Sequence, residues 1–356
     1  MTEQRVALLA MTTAGAAGDY VGALARAMAR TSTVGLWAPE HPEIAAPGVD
    51  MHPIPKSGSR AAVAVNEAKA WLFAGSIAPA VRAWDPAVIH VVFGEGYPSA
   101  ARTCADLTRS GCATAATWHD VVAHGQPFDR VQHNVARRTM HTVRGVHVHC
   151  DALIPPNLTA NVLVAEHPAP ECERCANQTT TRPLRAEGPI VTVGRFAPYK
   201  GTDLLCDALD RYWNGGGQRP LRSVGQGRVP ASLRKLETRW RELVTIDNRY
   251  VSPDELHQLL TDAAICVMPY VSGTQSGLPW LARLHGAHLI ATDVGCIGSV
   301  ARRVGARVVP AGSIEALVDA LAEPPSMWTD IARVPLPTYA ELAQRLIDWY
   351  PTLTPK

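Results

Sequence analysis

Features that would indicate nucleic-acid binding or a charged interaction tail are missing from this chain of 356 residues. Charge of one sign is not in excess, because 34 basic and 32 acidic side chains give a formal net charge of +2. Nucleic-acid binding depends on a surplus of basic side chains that neutralise phosphates, so this balance excludes an electrostatic nucleic-acid binder. Blocks of like charge that would mark an interaction tail are missing too.

Long apolar runs are also lacking. The longest stretch without a charged residue, 263–282, contains prolines, glycines and polar residues, which is typical of a strand, a loop and a helix start rather than a membrane span. The amino-terminal segment passes from an apolar stretch straight into a glycine turn, without the basic region and cleavage site of a signal peptide. These patterns predict a cytoplasmic protein.

Metal-binding patterns are sparse. The sequence has no Asp-x-Asp triad, which disfavours a diphosphate held through a metal ion. One Cys-x-x-Cys pair, Cys172 and Cys175, could share a zinc ion, although a structural zinc site usually shows two such pairs or a His pair. The residues that could complete this zinc site are His147, His149, Cys150 and His167. Free thiols are the default interpretation of all eight cysteines.

The length and the order of apolar runs predict two α/β domains. A chain of this size fits two domains of ~150–180 residues each. Short apolar runs such as 6–11 and 113–118 alternate with helical stretches, which is typical of doubly wound parallel sheets. A proline-rich, polar region near 169–188 interrupts the alternation. We therefore expect one domain over 1–180, joined by a last helix at about 337–356, and a second over 181–336.

A glycine-framed loop after the predicted strand at 189–193 carries two cations five residues apart, Arg195 and Lys200. Ligands of open α/β sheets bind at the carboxyl ends of strands. A guanidinium contacts two oxygens and an ammonium acts as a point charge, so the pair suits a diphosphate. The alternative is a surface loop with solvated charges. Because the chain has only five lysines beside 29 arginines, a lysine in this loop by chance is less expected.

A second loop, 273–277, follows the predicted buried strand at 265–269 and has the sequence Gly-Thr-Gln-Ser-Gly. Backbone N–H groups at the start of the next helix would form an anion site. The alternative is an ordinary strand-to-helix turn in which Ser276 or Thr274 caps the helix.

In order and spacing, these two loops, the segment 250–256 and the segment 290–295 resemble GT-B glycosyltransferases of family 4, also called glycosyltransferase group 1. The resemblance covers about 189–312 well and the amino-terminal half loosely. It implies two Rossmann-like domains that face a cleft. It also implies a retaining, hexosyltransferase-type reaction, which moves a sugar from a nucleotide-diphosphate donor to a hydroxyl acceptor that is a small molecule, a saccharide or a lipid-linked compound.

The resemblance also implies roles for particular residues. Arg195 and Lys200 would hold the diphosphate as catalytic groups, and the nucleotide base would lie near Val251. The residues of the second loop expected to bind the donor are Thr274, Gln275, Ser276, Gly277 and Leu278.

In the first domain, the small-residue loop with Gly15 and Ala16 would face the donor, and His119 would lie near the reaction centre as a catalytic residue. Without the resemblance, His119 followed by Asp120 is more often a structural hydrogen-bonded histidine. The loop has only Gly-x-x-Gly, whereas a nicotinamide-binding fold requires Gly-x-Gly-x-x-Gly.

One departure from the family concerns a pair of glutamates eight residues apart, whose positions are occupied here by Thr274 and Ala282. A subset of the family with Thr-Gln-Ser-Gly also lacks them, and this chain looks like that subset. The second glutamate normally grips the ribose, so the nucleotide stays open. Ala282 is either next to the ribose or a core residue of its helix.

We therefore expect a glycosyltransferase that requires no cofactor and no metal. A catalytically degenerate GT-B protein is the first alternative, and a nucleotide-dependent oxidoreductase or epimerase is the second. Arg137, Arg138 and Arg144 could form a basic face for peripheral membrane contact, although a solvated helix face is commoner. The acceptor and the oligomeric state stay open.

Overall fold

The computed structural model describes residues 4–13, 16–39, 47–54, 77–119, 129–170, 182–329 and 335–354. The chain divides into two compact units, which we call the first and the second domain. The first domain comprises residues 1–168 and 337–356, and the second comprises residues 169–336.

The first domain is built on a seven-stranded sheet whose paired strands are all parallel. The strands are β1 (Arg5–Ala10), β2 (Thr33–Pro39), β3 (Val49–Ile54), β4 (Val88–Phe93), β5 (Ala113–Trp118), β6 (Gly145–Val148) and β7 (Asn161–Val164). Their order in the sheet is β3-β2-β1-β4-β5-β6-β7. The central strands are buried along almost their whole length, as expected for a parallel sheet covered on both faces.

The second domain has a six-stranded parallel sheet in the order β10-β9-β8-β11-β12-β13. The strands are β8 (Ile190–Val193), β9 (Leu221–Val224), β10 (Val244–Asp247), β11 (Ile265–Met268), β12 (His288–Thr292) and β13 (Arg307–Val309). Alternate residues of β11 belong to opposite apolar layers, with Cys266 and Met268 on one face and Ile265 and Val267 on the other. The sheet is therefore buried on both faces.

Helices lie between most successive strands in both domains. They are α1 (Ala16–Met28), α2 (Ile77–Ala83), α3 (Pro98–Arg109), α4 (Asp129–Thr142), α5 (Thr202–Asn214), α6 (Ala231–Arg239), α7 (Pro253–Asp262), α8 (Leu278–Leu284), α9 (Gly295–Arg303), α10 (Ile314–Ala322) and α11 (Tyr339–Trp349). None of the helices within the described ranges is long and apolar enough to cross a membrane.

The last helix, α11, completes the core of the first domain. Tyr339 and Leu346 are buried in the same apolar cluster as Tyr20 and Leu24 of α1. A Cβ atom at Gly145 would lie 2.6 Å from the ring of Trp349, so the close packing of this ring on β6 requires glycine there.

The predicted fold class is confirmed, and every strand that the sequence predicted is present. Three elements were not predicted: β3 and β7, which are short edge strands with several exposed or half-buried residues, and α9, which begins with glycine. Edge strands lack the continuous apolar run on which the predictions relied. The sequence also predicts a helix over 60–84; α2 begins at residue 77, and residues 60–76 lie outside the described residues.

Candidate active site

The second sheet changes direction between β8 and β11. From β8 the chain adds β9 and β10 on one side, and from β11 it adds β12 and β13 on the other. Ligands of open α/β sheets bind outside the carboxyl ends of the strands at such a switch point. The loops that follow β8 and β11, residues 194–201 and 269–277, are the two motifs singled out in the sequence. The topology brings them together.

Glycine allows these loops to touch. Gly201 has a φ of +66°, and a Cβ atom there would lie 1.8 Å from the carbonyl oxygen of Pro269. The backbone N–H of Val271 donates a hydrogen bond of 2.9 Å to the carbonyl of Tyr199. Only glycine permits this approach, so the residue after Lys200 fixes the first loop against the second.

Lys200 is half-buried at this junction. Its Nζ donates a hydrogen bond to the phenol oxygen of Tyr270 and lies 3.9 Å from the centroid of the Tyr270 ring. A Cβ atom at Gly194 would be 3.7 Å from this Nζ, so the ammonium lies beside the glycine that begins the loop. Arg195 is exposed. Both cations therefore lie on the loop at the carboxyl end of β8.

The Thr-Gln-Ser-Gly segment combines a buried turn with one unused acceptor. Thr274 is 3% exposed, and its carbonyl accepts the N–H of Cys296 at 2.9 Å. The side-chain oxygen of Gln275 is buried and accepts no hydrogen bond within the described part of the chain. Ser276 Oγ accepts the N–H of Leu278 at 3.2 Å, but the N-cap of α8 is Gly277, so neither Ser276 nor Thr274 caps this helix. Gly277 directly precedes α8.

Ala282 lies in the core. It is 0% exposed and belongs to the apolar layer that contains Met268 and Leu281. Of the two interpretations that the sequence left open, the structure therefore favours a core residue of α8. Val251, in the loop after β10, is half-buried against the same layer.

The first sheet has its own switch point between β1 and β4. Ala16 begins α1 after β1 and is exposed, while Gly15 lies outside the described residues. After β4, the side chain of Glu95 accepts the N–H of Gly94 at 3.1 Å and the N–H of His119 at 3.0 Å. Glu95 is 7% exposed and was overlooked in the sequence. The signal that could have found it is an acidic residue between two glycines at the end of a buried strand.

His119 follows β5 and is 2% exposed. Its Nε2 lies 2.8 Å from the carbonyl oxygen of Val92, which can only accept, so Nε2 carries a proton and donates it to this carbonyl. The ring packs against Phe93 at 4.4 Å and against the edge of Tyr20 at 4.9 Å between centroids. Asp120 lies outside the described residues. The position of His119 is thus fixed by contacts from β4 and α1.

Hydrogen bonds of defined direction link further buried side chains of the first domain. The Nε2 of His147 donates to the carbonyl of Ala165 at 3.1 Å, so its Nδ1 accepts the hydroxyl proton of Thr117 at 3.0 Å. Thr117 in turn accepts from the Nε2 of His90 at 2.9 Å. The Nδ1 of His90 then accepts the hydroxyl proton of Tyr350 at 2.7 Å. In this series of hydrogen bonds, the imidazoles of His90 and His147 are both neutral.

Burial keeps these histidines neutral. It is the largest cause that lowers the pKa of His147 to about 3 and the pKa of His167 to about 4. Burial and neighbouring histidines also hold the pKa values of His90 and His149 well below the ordinary value. At neutral pH these imidazoles, in or just after strands of the first sheet, are therefore uncharged.

The cysteines differ in state. Four are free thiols: Cys104, Cys112, Cys206 and Cys266. The expectation of free thiols is wrong for Cys150 and Cys296, which are disulfide-bonded. These two lie near the ends of elements, just after β6 and at the start of α9, where a second thiol can approach more easily than inside a buried strand.

Cys172 and Cys175 lie outside the described residues. Within the ranges that are described, no group of three His, Cys, Asp or Glu side chains could hold a metal ion. Of the residues considered as zinc ligands, Cys150 is in a disulfide and both ring nitrogens of His147 are hydrogen-bonded.

The basic face considered for membrane contact is smaller than expected. Arg137 and Arg138 are exposed on α4. Arg144 is half-buried, and its Nε donates to the carbonyl of Cys112 at 3.3 Å, so this arginine supports β5 instead.

Comparisons with known proteins agree with this geometry. Residues 187–323 match the family model of glycosyl transferases group 1, and this range includes both loops of the second switch point. No curated protein matches the sequence. Most of the second domain is therefore similar to a glycosyltransferase group 1 domain.

Solved structures share the fold of the whole chain. Sucrose-phosphate synthase from Thermosynechococcus elongatus matches with a TM-score of 0.68 and 17% identity, covering 99% of this chain and 95% of that chain. The catalytic domain of starch synthase IV from Arabidopsis thaliana, bound to ADP and acarbose, matches with a TM-score of 0.67 and 11% identity, covering 99% of both chains. An alpha,alpha-trehalose 6-phosphate synthase from Burkholderia multivorans has a TM-score of 0.63 and 11% identity, covering 99% of this chain and 94% of that chain. The chain thus has the GT-B fold.

Proposed function

We propose that the protein is a retaining glycosyltransferase that moves a sugar from a nucleotide-diphosphate donor to a hydroxyl acceptor. The observation that carries the proposal is the junction of the two loops at the β8/β11 switch point, where Lys200 contacts Tyr270. This junction lies inside the residues that match the group 1 family.

In the proposed reaction, the bond between the anomeric carbon and the diphosphate oxygen breaks while the acceptor hydroxyl attacks the same face of the sugar. The acceptor proton passes to an oxygen of the leaving diphosphate. Negative charge develops on that diphosphate, and Arg195 and Lys200 stabilise it electrostatically. A metal ion is not needed for this step, because two cations already meet the charge.

His119 is proposed to position the donor sugar. Its Nε2 proton is engaged by the carbonyl of Val92, which also fixes the orientation of the ring. We infer a positioning contact rather than general-acid catalysis, because the proton on Nε2 is already donated to the carbonyl of Val92.

The nucleotide is proposed to be held mainly through its diphosphate. The position where the family has a ribose-binding glutamate is the core residue Ala282. The related starch synthase is described as bound to ADP, so adenosine diphosphate belongs among the first nucleotides to test.

Transfer can be tested directly. Uridine, adenosine and guanosine diphosphates should raise the melting temperature of the protein, because a ligand that binds the native state stabilises it by mass action. The matching sugar nucleotides are then incubated with a mixture of sugar acceptors, and the released nucleoside diphosphate and the new glycoside are measured by mass spectrometry. Without stabilisation by any of the three, the proposal fails.

A catalytically degenerate binding protein is the second candidate, and the glutamate positions occupied by Thr274 and Ala282 favour it. The same assay separates the two. Stabilisation without release of nucleoside diphosphate, either to acceptors or to water, would identify a binding protein.

A further inference from the structure

One buried phenol connects the two loops of the second switch point. Tyr270 follows the end of β11, is 4% exposed, and accepts a hydrogen bond from the ammonium of Lys200. Its hydroxyl also has a side-chain hydrogen bond with Ser276. Tyr270 is therefore bound on one side to the cation of the first loop and on the other to the Thr-Gln-Ser-Gly segment.

Lys200 can only donate, so the phenol oxygen of Tyr270 is the acceptor in their hydrogen bond. Ser276 Oγ accepts the N–H of Leu278 at 3.2 Å, which fixes this serine at the start of α8. The two loops therefore meet at the phenol of Tyr270.

Neutrality of the phenol matters to the charge of the site. Burial raises the pKa of Tyr270 far above its ordinary value, so the side chain is uncharged at any physiological pH. A carboxylate in the same place would neutralise the ammonium of Lys200. A phenol orients the ammonium and leaves its positive charge in place for an anionic ligand.

We propose that Tyr270 is a positioning residue that aims the Lys200 ammonium at the diphosphate of the donor. This inference rests on the proposed function, because the ligand is the nucleoside diphosphate. It goes beyond that function in assigning a role to a residue that contacts the cation rather than the reacting atoms.

The test is a double-mutant cycle of Tyr270→Phe and Lys200→Met. Phenylalanine keeps the ring and its packing and removes only the oxygen. Binding of uridine, adenosine and guanosine diphosphates and of inorganic pyrophosphate is measured by calorimetry, with the melting temperature of the ligand-free protein as a control for folding. We expect Tyr270→Phe to weaken binding ~10-fold in the wild-type background and less than about twofold in the Lys200→Met background.

Tyr212→Phe is the matched control, because Tyr212 lies on α5 against Gly217 and away from both loops. This variant should bind like wild type. An unchanged affinity of Tyr270→Phe, or an equal loss in both backgrounds, would overturn the inference, since the phenol would then not act through Lys200. Binding of pyrophosphate but of no nucleoside diphosphate by wild type would instead reject the proposed function, and the cycle with pyrophosphate would still decide the role of Tyr270.

Discussion

The two switch points of this protein are built from opposite chemistry. The one in the second domain has Arg195 and Lys200 on a glycine-framed loop, beside hydroxyl groups and an amide. The one in the first domain has Glu95 and His119, both buried, and a group of uncharged imidazoles. Two sheets of the same type thus place cations at one carboxyl edge and neutral or acidic acceptors at the other.

This difference fits the proposed function. A leaving diphosphate needs fixed positive charge, and the second domain has two cations on a loop. In the first domain, a buried network of hydrogen bonds holds its members in place. Burial of the imidazoles also makes the first domain sensitive to acid. At low pH the unfolded chain binds protons that the buried neutral imidazoles do not, and this lowers the free energy of unfolding.

The largest expected effect is acid unfolding. The histidines with lowered pKa in the first domain are His90, His147, His149 and His167. Below pH ~6.5 the unfolded chain binds protons that the native state does not, so stability falls as the pH falls from 6.5 toward the native pKa values of about 3 and about 4 for His147 and His167. Each group contributes ~1.4 kcal/mol per pH unit in that window.

Urea denaturation at pH 7.5, 6.5 and 5.5 measures this effect. The slope of the free energy of unfolding against pH should correspond to several protons, and His149→Gln should remove about one of them. The control is His141→Gln, on the exposed part of α4, which should leave the slope unchanged. A stability that is flat between pH 7.5 and 5.5 would contradict the comparison.

The next effect concerns Ala282. Because this residue is 0% exposed in an apolar layer, Ala282→Glu buries a carboxylate without a partner and should cost ~3–5 kcal/mol of the free energy of unfolding. Val271→Glu, at a position that is 48% exposed, is the control and should be nearly neutral. Normal stability of Ala282→Glu together with sharper ribose selectivity would show that this side chain faces the nucleotide after all.

The contrast also shows what the sequence could and could not predict. Arg195, Lys200 and the loop with Ser276 were predictable because each follows a buried apolar run, and parallel sheets place such loops at one edge. Tyr270 and Glu95 were missed because each acts through a contact from a distant part of the chain, Tyr270 with Lys200 and Glu95 with the N–H of His119. Such pairings depend on strand order, which local patterns do not specify.

A third effect concerns catalysis alone. Lys200→Ala and Arg195→Ala should each reduce kcat/KM by ~10²–10³, about 2.7–4 kcal/mol of transition-state stabilisation, while leaving the fold intact because both residues are on a loop. Initial rates of nucleoside diphosphate release measure the loss. The matched control is Lys235→Ala, on α6, which should keep full activity. Near-native turnover of both site variants would remove the cations from the proposed mechanism. The contrast between the switch points of the two domains would then have no catalytic meaning.

Metal removal should have no effect on the same rates. The two cations supply the positive charge, so donor turnover should persist in a chelator such as EDTA. Loss of activity that only Mg²⁺ or Mn²⁺ restores would show that the diphosphate is held through a metal ion. Restoration by Zn²⁺ alone would instead support a structural site at Cys172 and Cys175.

The smallest effect that we expect on binding is discrimination at the ribose. Because Ala282 is a core residue, we expect the ribose hydroxyls to lack the usual carboxylate, and the polar side chains of the nearby loop are Thr274, Gln275 and Ser276. Of these, the buried side-chain oxygen of Gln275 has no hydrogen-bond partner among the residues that the structure describes. A single neutral amide contributes less to the affinity for the ribose than a carboxylate that accepts two hydroxyl protons.

Matched ribo and 2′-deoxyribonucleoside diphosphates should therefore differ less than ~30-fold in Kd, about 2 kcal/mol, by calorimetry. If the ribo form is preferred by more and Gln275→Ala abolishes that preference, Gln275 takes the place of the missing glutamate. If the larger preference survives Gln275→Ala, a group outside this loop binds the ribose. The affinity would then no longer depend on the cations of the second domain alone.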